Sequence, residues 1–344
     1  MKRMKAVGLY RYLDIEDSGS LLDLELEVPV PEARDLLVRV KAVSVNPVDT
    51  KQRAPKERVE ATPRVLGYDA VGEVVKVGSD VNLFAVGDEV YFAGDVTRQG
   101  SNAEYTRIDE RLAAHKPQNL TDEEAAAMPL TTLTASEALF DRLLITPEKD
   151  KGKSILIING AGGVGSIAVQ LAKFSGLEVI ATASRPETID WVKQHGADFV
   201  IDHHLSIPEE LMKIGFPQVD YILCLHDTYR HFEAMEQAIK PEGQICSIVE
   251  LSHPVQMSIL KDKSAGFHYE FMFTRSKYQT ADQIRQHEIL EKARVLFESG
   301  ELKSTLTKVL TPINAETMRE AHKIVESGKM IGKLVVKGFD EDDK

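Results

Sequence analysis

The segment Gly160-Ala161-Gly162-Gly163-Val164-Gly165 constrains this chain more than any other stretch of its 344 residues. It follows four consecutive apolar residues, Ile155 to Ile158, and leads into a helix-compatible run from Ser166 to Ser175. A strand, a glycine turn and a helix in that order make the first half of a βαβ unit. Gly160 is expected to form the tight turn, Gly162 to let the backbone approach a diphosphate, and Gly165 to let helix and strand pack closely. The N–H groups of Gly163, Val164 and Gly165 then open the helix at the positive end of its dipole, a site suited to phosphate.

The same rhythm continues through Glu178–Thr182, Asp198–Ile201, Val219–Leu225 and Gln244–Val249, and near-continuous apolar strands between helices predict a parallel, doubly wound sheet. Residues 5–115 have another texture: the short β-rich runs Asp35–Val43, Ala70–Val77, Asp88–Phe92 and Ala103–Ile108, punctuated by Gly67, Gly72, Gly78 and Gly87. They predict a small barrel-like β domain. Thr121-Asp-Glu-Glu124 starts like a capped helix, and the residues up to Phe140 read as a linking helix pair around Pro129. Beyond residue 270 come a helix over Ala281–Ser299, the short run Lys308–Leu310, a helix over Asn314–Ser327 and a strand over Lys333–Lys337, elements expected to rejoin the first domain. The fold class is therefore α/β, with a β-rich domain over 1–125, a nucleotide-binding domain over 126–270 and a returning segment over 271–344. A chain of this length exceeds what one core usually holds. The charged tail Asp340–Lys344 is expected to be disordered.

A net charge of -12, with no cluster of Lys and Arg, argues against a nucleic-acid surface. The basic start Met1–Lys5 is followed by polar residues and not by an apolar core, and no apolar run approaches bilayer-spanning length, so a cytoplasmic protein without membrane contact is expected. Both cysteines, Cys224 and Cys246, lie in apolar strand-like segments and read as inert core thiols.

Cofactor choice is read at the end of the second strand of the βαβ unit. A carboxylate there would bind ribose hydroxyls and repel a 2′-phosphate. This chain instead has Ala181-Thr-Ala-Ser184-Arg185, a hydroxyl donor and a permanent guanidinium, which favours NADPH over NADH. At the ends of later strands, Leu225-His226 and Ser247 fall on the carboxyl edge where a doubly wound sheet meets its ligand, mostly through backbone contacts.

Val45-Asn46-Pro47-Val48-Asp49, Gly67-Tyr68-Asp69-Ala70-Val71-Gly72-Glu73-Val74, Val86-Gly-Asp-Glu-Val90, Pro129-Leu-Thr131 and the glycine loop, in this order, resemble the medium-chain dehydrogenase/reductase superfamily over essentially the whole chain. The resemblance is to quinone oxidoreductase-like (zeta-crystallin-like) members, some of them named zinc-type alcohol dehydrogenase-like. It implies a GroES-like β-rich catalytic domain followed by a Rossmann domain, and a homodimer paired near Phe267–Phe273. The zinc enzymes of the superfamily have a Cys in the segment resembling Ser44–Val48 and Gly-His-Glu where this chain has Gly67-Tyr68-Asp69; here no Cys precedes residue 224, so no metal site is expected.

Without a Lewis acid to hold an alkoxide, the chemistry implied is hydride transfer to a quinone or to an α,β-unsaturated carbonyl. By resemblance, Lys51 in Asn46-Pro-Val-Asp-Thr-Lys51 contacts the substrate carbonyl, Asn46 lies near the nicotinamide and Thr134 touches the cofactor. Tyr68, at the position resembling the zinc-ligating His, shapes the pocket or donates a proton. Lys51 also reads as a surface lysine, Asn46 as a turn cap, and Asp69 as a holder of local structure through backbone N–H groups or an Arg. Two other readings stay open: a zinc-dependent alcohol dehydrogenase, and an NADPH-binding redox sensor with little turnover.

Overall fold

A computed structural model describes residues 2–339, so the expectation for Asp340–Lys344 lies outside the described residues. The described residues form two compact units: residues 2–130, 273–300 and 304–339 in the first, residues 131–272 and 301–303 in the second.

The first unit begins with β1 (Arg3–Tyr12), β2 (Leu22–Glu27), β3 (Asp35–Val45), α1 (Pro47–Arg53), β4 (Lys56–Val65), β5 (Ala70–Val77), β6 (Glu89–Phe92), β7 (Tyr105–Asp109), β8 (Ala113–His115) and α2 (Asp122–Ala126). α3 (Pro129–Ser136) then leads out of it. The second unit holds α4 (Pro147–Asp150), β9 (Ser154–Ile158), α5 (Gly163–Phe174), β10 (Glu178–Thr182), α6 (Pro186–Gln194), β11 (Phe199–Ile201), α7 (Ile207–Lys213), β12 (Val219–Cys224), α8 (Thr228–Ala238), β13 (Ile239–Ser247) and β14 (Gly266–Tyr269). The chain then returns to the first unit with α9 (Thr274–Tyr278), α10 (Arg285–Glu298), β15 (Leu306–Leu310), α11 (Ala315–Glu326) and β16 (Lys333–Lys337).

The expected α/β class holds. In the second unit all six strands are parallel, in the order β11-β10-β9-β12-β13-β14. β9 is buried along its whole length because helices cover both faces of such a sheet, which is why it reads as an unbroken apolar run. The order reverses between β9 and β12, and that switch point is where open α/β sheets take their ligands.

The first unit has a three-stranded sheet, β2-β1-β4, and a seven-stranded one in the order β15-β16-β3-β5-β6-β8, with β7 also pairing β3. β16 lies antiparallel to β3, Leu334 opposite Val45, so the last strand runs beside the segment leading into α1. Gly72 sits where a Cβ would meet Arg39 O of β3 at 2.2 Å, so only glycine allows β5 to lie so close. The capping box at Thr121 and Glu124 forms as its sequence suggests. The linking helices continue differently: Glu137–Arg142 widens to a π-turn, with Leu143 N–H donating to Ala138 O. The helix expected from Ala281 starts only at Arg285, after turns at residues 281–284.

Candidate functional site

In the second unit the glycine loop joins β9 to α5, with Gly162 as N-cap. The first intrahelical bond runs from Ser166 N–H to Gly162 O, so the N–H groups of Gly163, Val164 and Gly165 precede it at the helix start, where Gly163 and Val164 are half-buried and Gly165 is buried. The left-handed residue of the turn is Asn159, with φ +69°, and not Gly160. Gly160 serves packing instead: a Cβ there would meet the Ala181 Cβ at 2.8 Å and Val192 Cγ1 at 3.2 Å. At Gly165 a Cβ would meet Asn159 O at 2.3 Å, and at Gly162 the Asn159 Nδ2 at 3.1 Å. The glycines thus let the turn, β10, α6 and the start of α5 pack closely, a geometry that suits a diphosphate held by main-chain amides.

Three further segments meet it along the carboxyl edge. Thr182 ties β10 to the loop, its Oγ1 accepting from Asn159 N–H at 2.9 Å and its O from Gly160 N–H at 3.2 Å. Ser184 and Arg185 follow, both half-buried; Arg185 N-caps α6 and its Nη1 lies 3.3 Å from Glu187. Leu225 N–H donates to Ile158 O at 3.2 Å, which seats the end of β12 beside the end of β9, and His226 next to it is exposed. Ser247 is buried with its hydroxyl 2.6 Å from Thr228 Oγ1, so its side chain is occupied inside the protein. Thr134, on α3, is buried. Both thiols are free and buried; burial pushes Cys224 up to about 11 and Cys246 further, as inert core thiols require.

In the first unit two of the sequence-selected residues, Asn46 and Asp69, meet a lysine that sequence reasoning missed. Lys333 opens β16, is 2 % exposed, and places its Nζ against Asn46 Oδ1 and 3.1 Å from Asp69 Oδ2. Asn46 Nδ2 donates to the same Asp69 oxygen at 2.8 Å, and Leu130 N–H donates to Asp69 Oδ1 at 2.7 Å. Asn46 also N-caps α1, where its backbone N–H donates to Asp49 Oδ2 at 2.8 Å. Both ends of its amide are therefore engaged by protein groups. Asp69 holds local structure through a backbone N–H, that of Leu130, as one of the two expected ways has it, and its cation is Lys333 in place of an Arg. Lys51 lies exposed on α1, two residues beyond Asp49. Tyr68 is fully buried, edge-on to Phe273 at 5.4 Å between ring centroids. Desolvation pushes its phenol up to about 12 despite Arg64 Nη2 at 3.4 Å, so it stays protonated and can donate but not serve as a base.

Asp49 is buried, and its Oδ1 has no hydrogen-bond partner among the described residues. Desolvation raises its carboxyl to about 7, with Asp69 adding to the rise and the Asn46 N–H and Lys333 opposing it. A folded-state value above the unfolded one means the fold favours the protonated acid; stability from this group is present below pH 4 and is lost as pH rises through 7. Asp49→Asn is therefore expected to raise the melting temperature at pH 8 and to flatten the decline in stability between pH 5 and 8, as read by thermal unfolding across pH. An unchanged pH profile would remove Asp49 from this account.

The donors at the position of interest are an amide, a phenol and a carboxylate with an ammonium among them. No three His, Cys, Asp or Glu side chains come together among the described residues. Such a set does not fit zinc, which takes thiolate, imidazole or carboxylate in tetrahedral array. No helix among the described residues is long and apolar enough to cross a membrane.

Residues 32–118 match the alcohol dehydrogenase GroES-like domain and residues 195–336 the zinc-binding dehydrogenase family. A zinc-type alcohol dehydrogenase-like protein of Staphylococcus epidermidis is 45% identical over 97% of this chain and 99% of its own. A chloroplastic NADPH-dependent alkenal/one oxidoreductase of Arabidopsis thaliana is 34% identical over 97% of this chain and 80% of its own. A solved structure from Rhizobium etli CFN 42, provisionally named a zinc-dependent alcohol dehydrogenase, superposes with a TM-score of 0.95 at 45% identity, covering 99% of this chain and 100% of that one.

Proposed function

Since the chain belongs to the medium-chain dehydrogenase/reductase superfamily of oxidoreductases, we propose that it uses NADPH to reduce the activated C=C bond of an enone or enal, or a quinone. The observation that carries this reading is the glycine turn at the switch point, with Ser184 and Arg185 just beyond the end of β10 where an acidic residue would select NADH. The amides of Gly163, Val164 and Gly165 would hold the diphosphate, and Ser184 and Arg185 the 2′-phosphate. Leu225 and His226 would supply backbone contacts. Thr134 and Asn46 are assigned to the nicotinamide side, Asn46 as a fixed cap more than as a mobile ligand, because its amide is already engaged. When bound, NADPH supplies a hydride.

Lys51 is proposed to donate a hydrogen bond from Nζ to the carbonyl oxygen that gains negative charge as hydride reaches the β-carbon. Tyr68 shapes the neighbouring wall, its phenol held protonated by burial. The proton that completes the reduction comes from water and goes to the α-carbon of an enone or enal, or to the oxygen of a quinone. The named activity of the Arabidopsis thaliana relative supports an alkenal or enone acceptor. A cytoplasmic homodimer paired along the exposed edge strand β14, where Tyr269 and Phe271 are exposed, completes the proposal.

The test is NADPH oxidation with a panel of enals, enones, quinones and simple ketones, with and without a chelator. Turnover of the conjugated acceptors, unaffected by chelation, is expected; turnover confined to simple alcohols or ketones and abolished by chelation would favour the zinc dehydrogenase. Tight NADPH binding with no acceptor consumed would favour the sensor. Arg185→Ala should raise the Kd for NADPH about 10-fold or more and leave that for NADH nearly unchanged. Equal losses would overturn the choice of NADPH.

A further inference from the structure

We infer that the Lys333 ammonium is the resident cation of the Asn46–Asp69 site, doing there what a bound metal ion would do to organise the same loops. A lysine ammonium has three donors, and this one faces three oxygens: Asn46 Oδ1, Asp69 Oδ2 at 3.1 Å and Val45 O at 3.5 Å. Lys333, Asn46 and Asp69 are 2 %, 1 % and 0 % exposed, so water does not share these contacts. The oxygens belong to segments far apart in the chain. Asn46 caps α1, Asp69 leads into β5 while holding Leu130 at the start of α3, and Lys333 starts β16. One charge therefore fixes four backbone segments.

The charge balance calls for a cation. Asp69 is a buried carboxylate, and Asp49 adds a second acid within electrostatic reach of both Asp69 and Lys333. Removing the ammonium would leave Asp69 buried and unpaired, the costly case for a buried ion pair. The space left would be walled by amide, carboxylate and carbonyl oxygens, a hard donor set that accepts a small alkylammonium and has none of the sulfur or nitrogen donors zinc prefers. Lys333 acts through Asn46 and α1, the helix that bears Lys51, and so is a positioning residue. This inference holds whichever acceptor the protein reduces.

Chemical rescue tests it. Lys333→Ala removes a three-carbon stem and its ammonium, the outline of propylammonium. The variant is expected to melt roughly 10 °C below the wild type. Propylammonium at tens of millimolar should restore at least half of that loss, 1-propanol of the same length should not, and the wild type should respond to neither. Rescue by the alcohol as well, or by neither compound, would overturn the inference. Should Lys333→Ala fail to fold, Lys333→Met is compared with the pair Lys333→Met and Asp69→Asn. The pair is expected to melt above the single variant because it buries no uncompensated charge; a pair no more stable than the single change would also overturn it. Thermal unfolding needs no turnover, so this result stands apart from the choice of substrate.

Discussion

Gly165→Ala is expected to weaken NADPH binding at least 100-fold, a loss of about 3 kcal/mol. The added methyl carbon would lie 2.3 Å from Asn159 O and 2.7 Å from the Gly160 carbonyl, both main-chain atoms that cannot swing aside as a flexible side chain would. Relief requires α5 to move off β9 or the turn at Asn159 to open, and either motion re-aims the amides of Gly163 and Val164. Fluorescence or calorimetric titration with NADPH reads the effect, and circular dichroism shows whether the sheet persists. Affinity within a factor of three of the wild type, in a folded variant, would mean that the diphosphate is not gripped at this turn.

His322→Leu is expected to remove much of the acid sensitivity of the first unit. His322 lies on α11, fully buried, with neither ring nitrogen hydrogen-bonded among the described residues. Desolvation, with help from the Arg53 guanidinium, pulls its ring down to about 3 from an ordinary 6.5. Arg53 is itself buried and paired with Glu326 on α11, so a new positive charge at His322 would be buried near another cation. In the unfolded chain the ring takes up its proton near 6.5, so below that pH the unfolded state binds the extra proton and the fold does not. Stability from the neutral ring is thus full above pH 6.5 and falls progressively toward pH 3. Between pH 6.5 and 4.5 the loss is about 2 kcal/mol for this one group. Unfolding at several pH values should show that slope in the wild type and its reduction in His322→Leu. A residual slope is expected from His231 in the second unit, lowered to about 4 by burial and by the neighbouring Arg230, His203 and His226. Parallel slopes for wild type and variant would sink the assignment.

The nucleotide-binding unit was legible because its signals are local. β9 is apolar throughout, and the spacing of Gly160, Gly162 and Gly165 encodes a turn and a helix start within ten residues. What the pattern did not reveal was the division of labour: Asn159 takes the left-handed conformation and Gly160 makes room for Ala181 and Val192, contacts that depend on β10 and α6. β4 was hidden for another reason. Lys56–Val65 carries several charges and a proline, and it forms a strand because β1 offers it a largely exposed edge, where apolar alternation is not demanded. At the site, Asn46, Lys51, Tyr68 and Asp69 were visible from motif resemblance, whereas Asp49 stood only as part of a motif and Lys333 was not seen. In Lys333-Leu-Val-Val-Lys337 two lysines flank an apolar core alike, yet Lys333 is buried and Lys337 exposed. Only a partner 264 residues away distinguishes them.

That separation sets an order of events during synthesis. The ribosome delivers Lys333 264 residues after Asp69, when the whole six-stranded sheet of the other unit has emerged. The domain begun first is therefore completed last, and the later-starting one can fold while its predecessor still waits for β16. A nascent chain stalled before residue 333 would carry a finished six-stranded parallel sheet and a first unit whose Asp69 still lacks its ammonium.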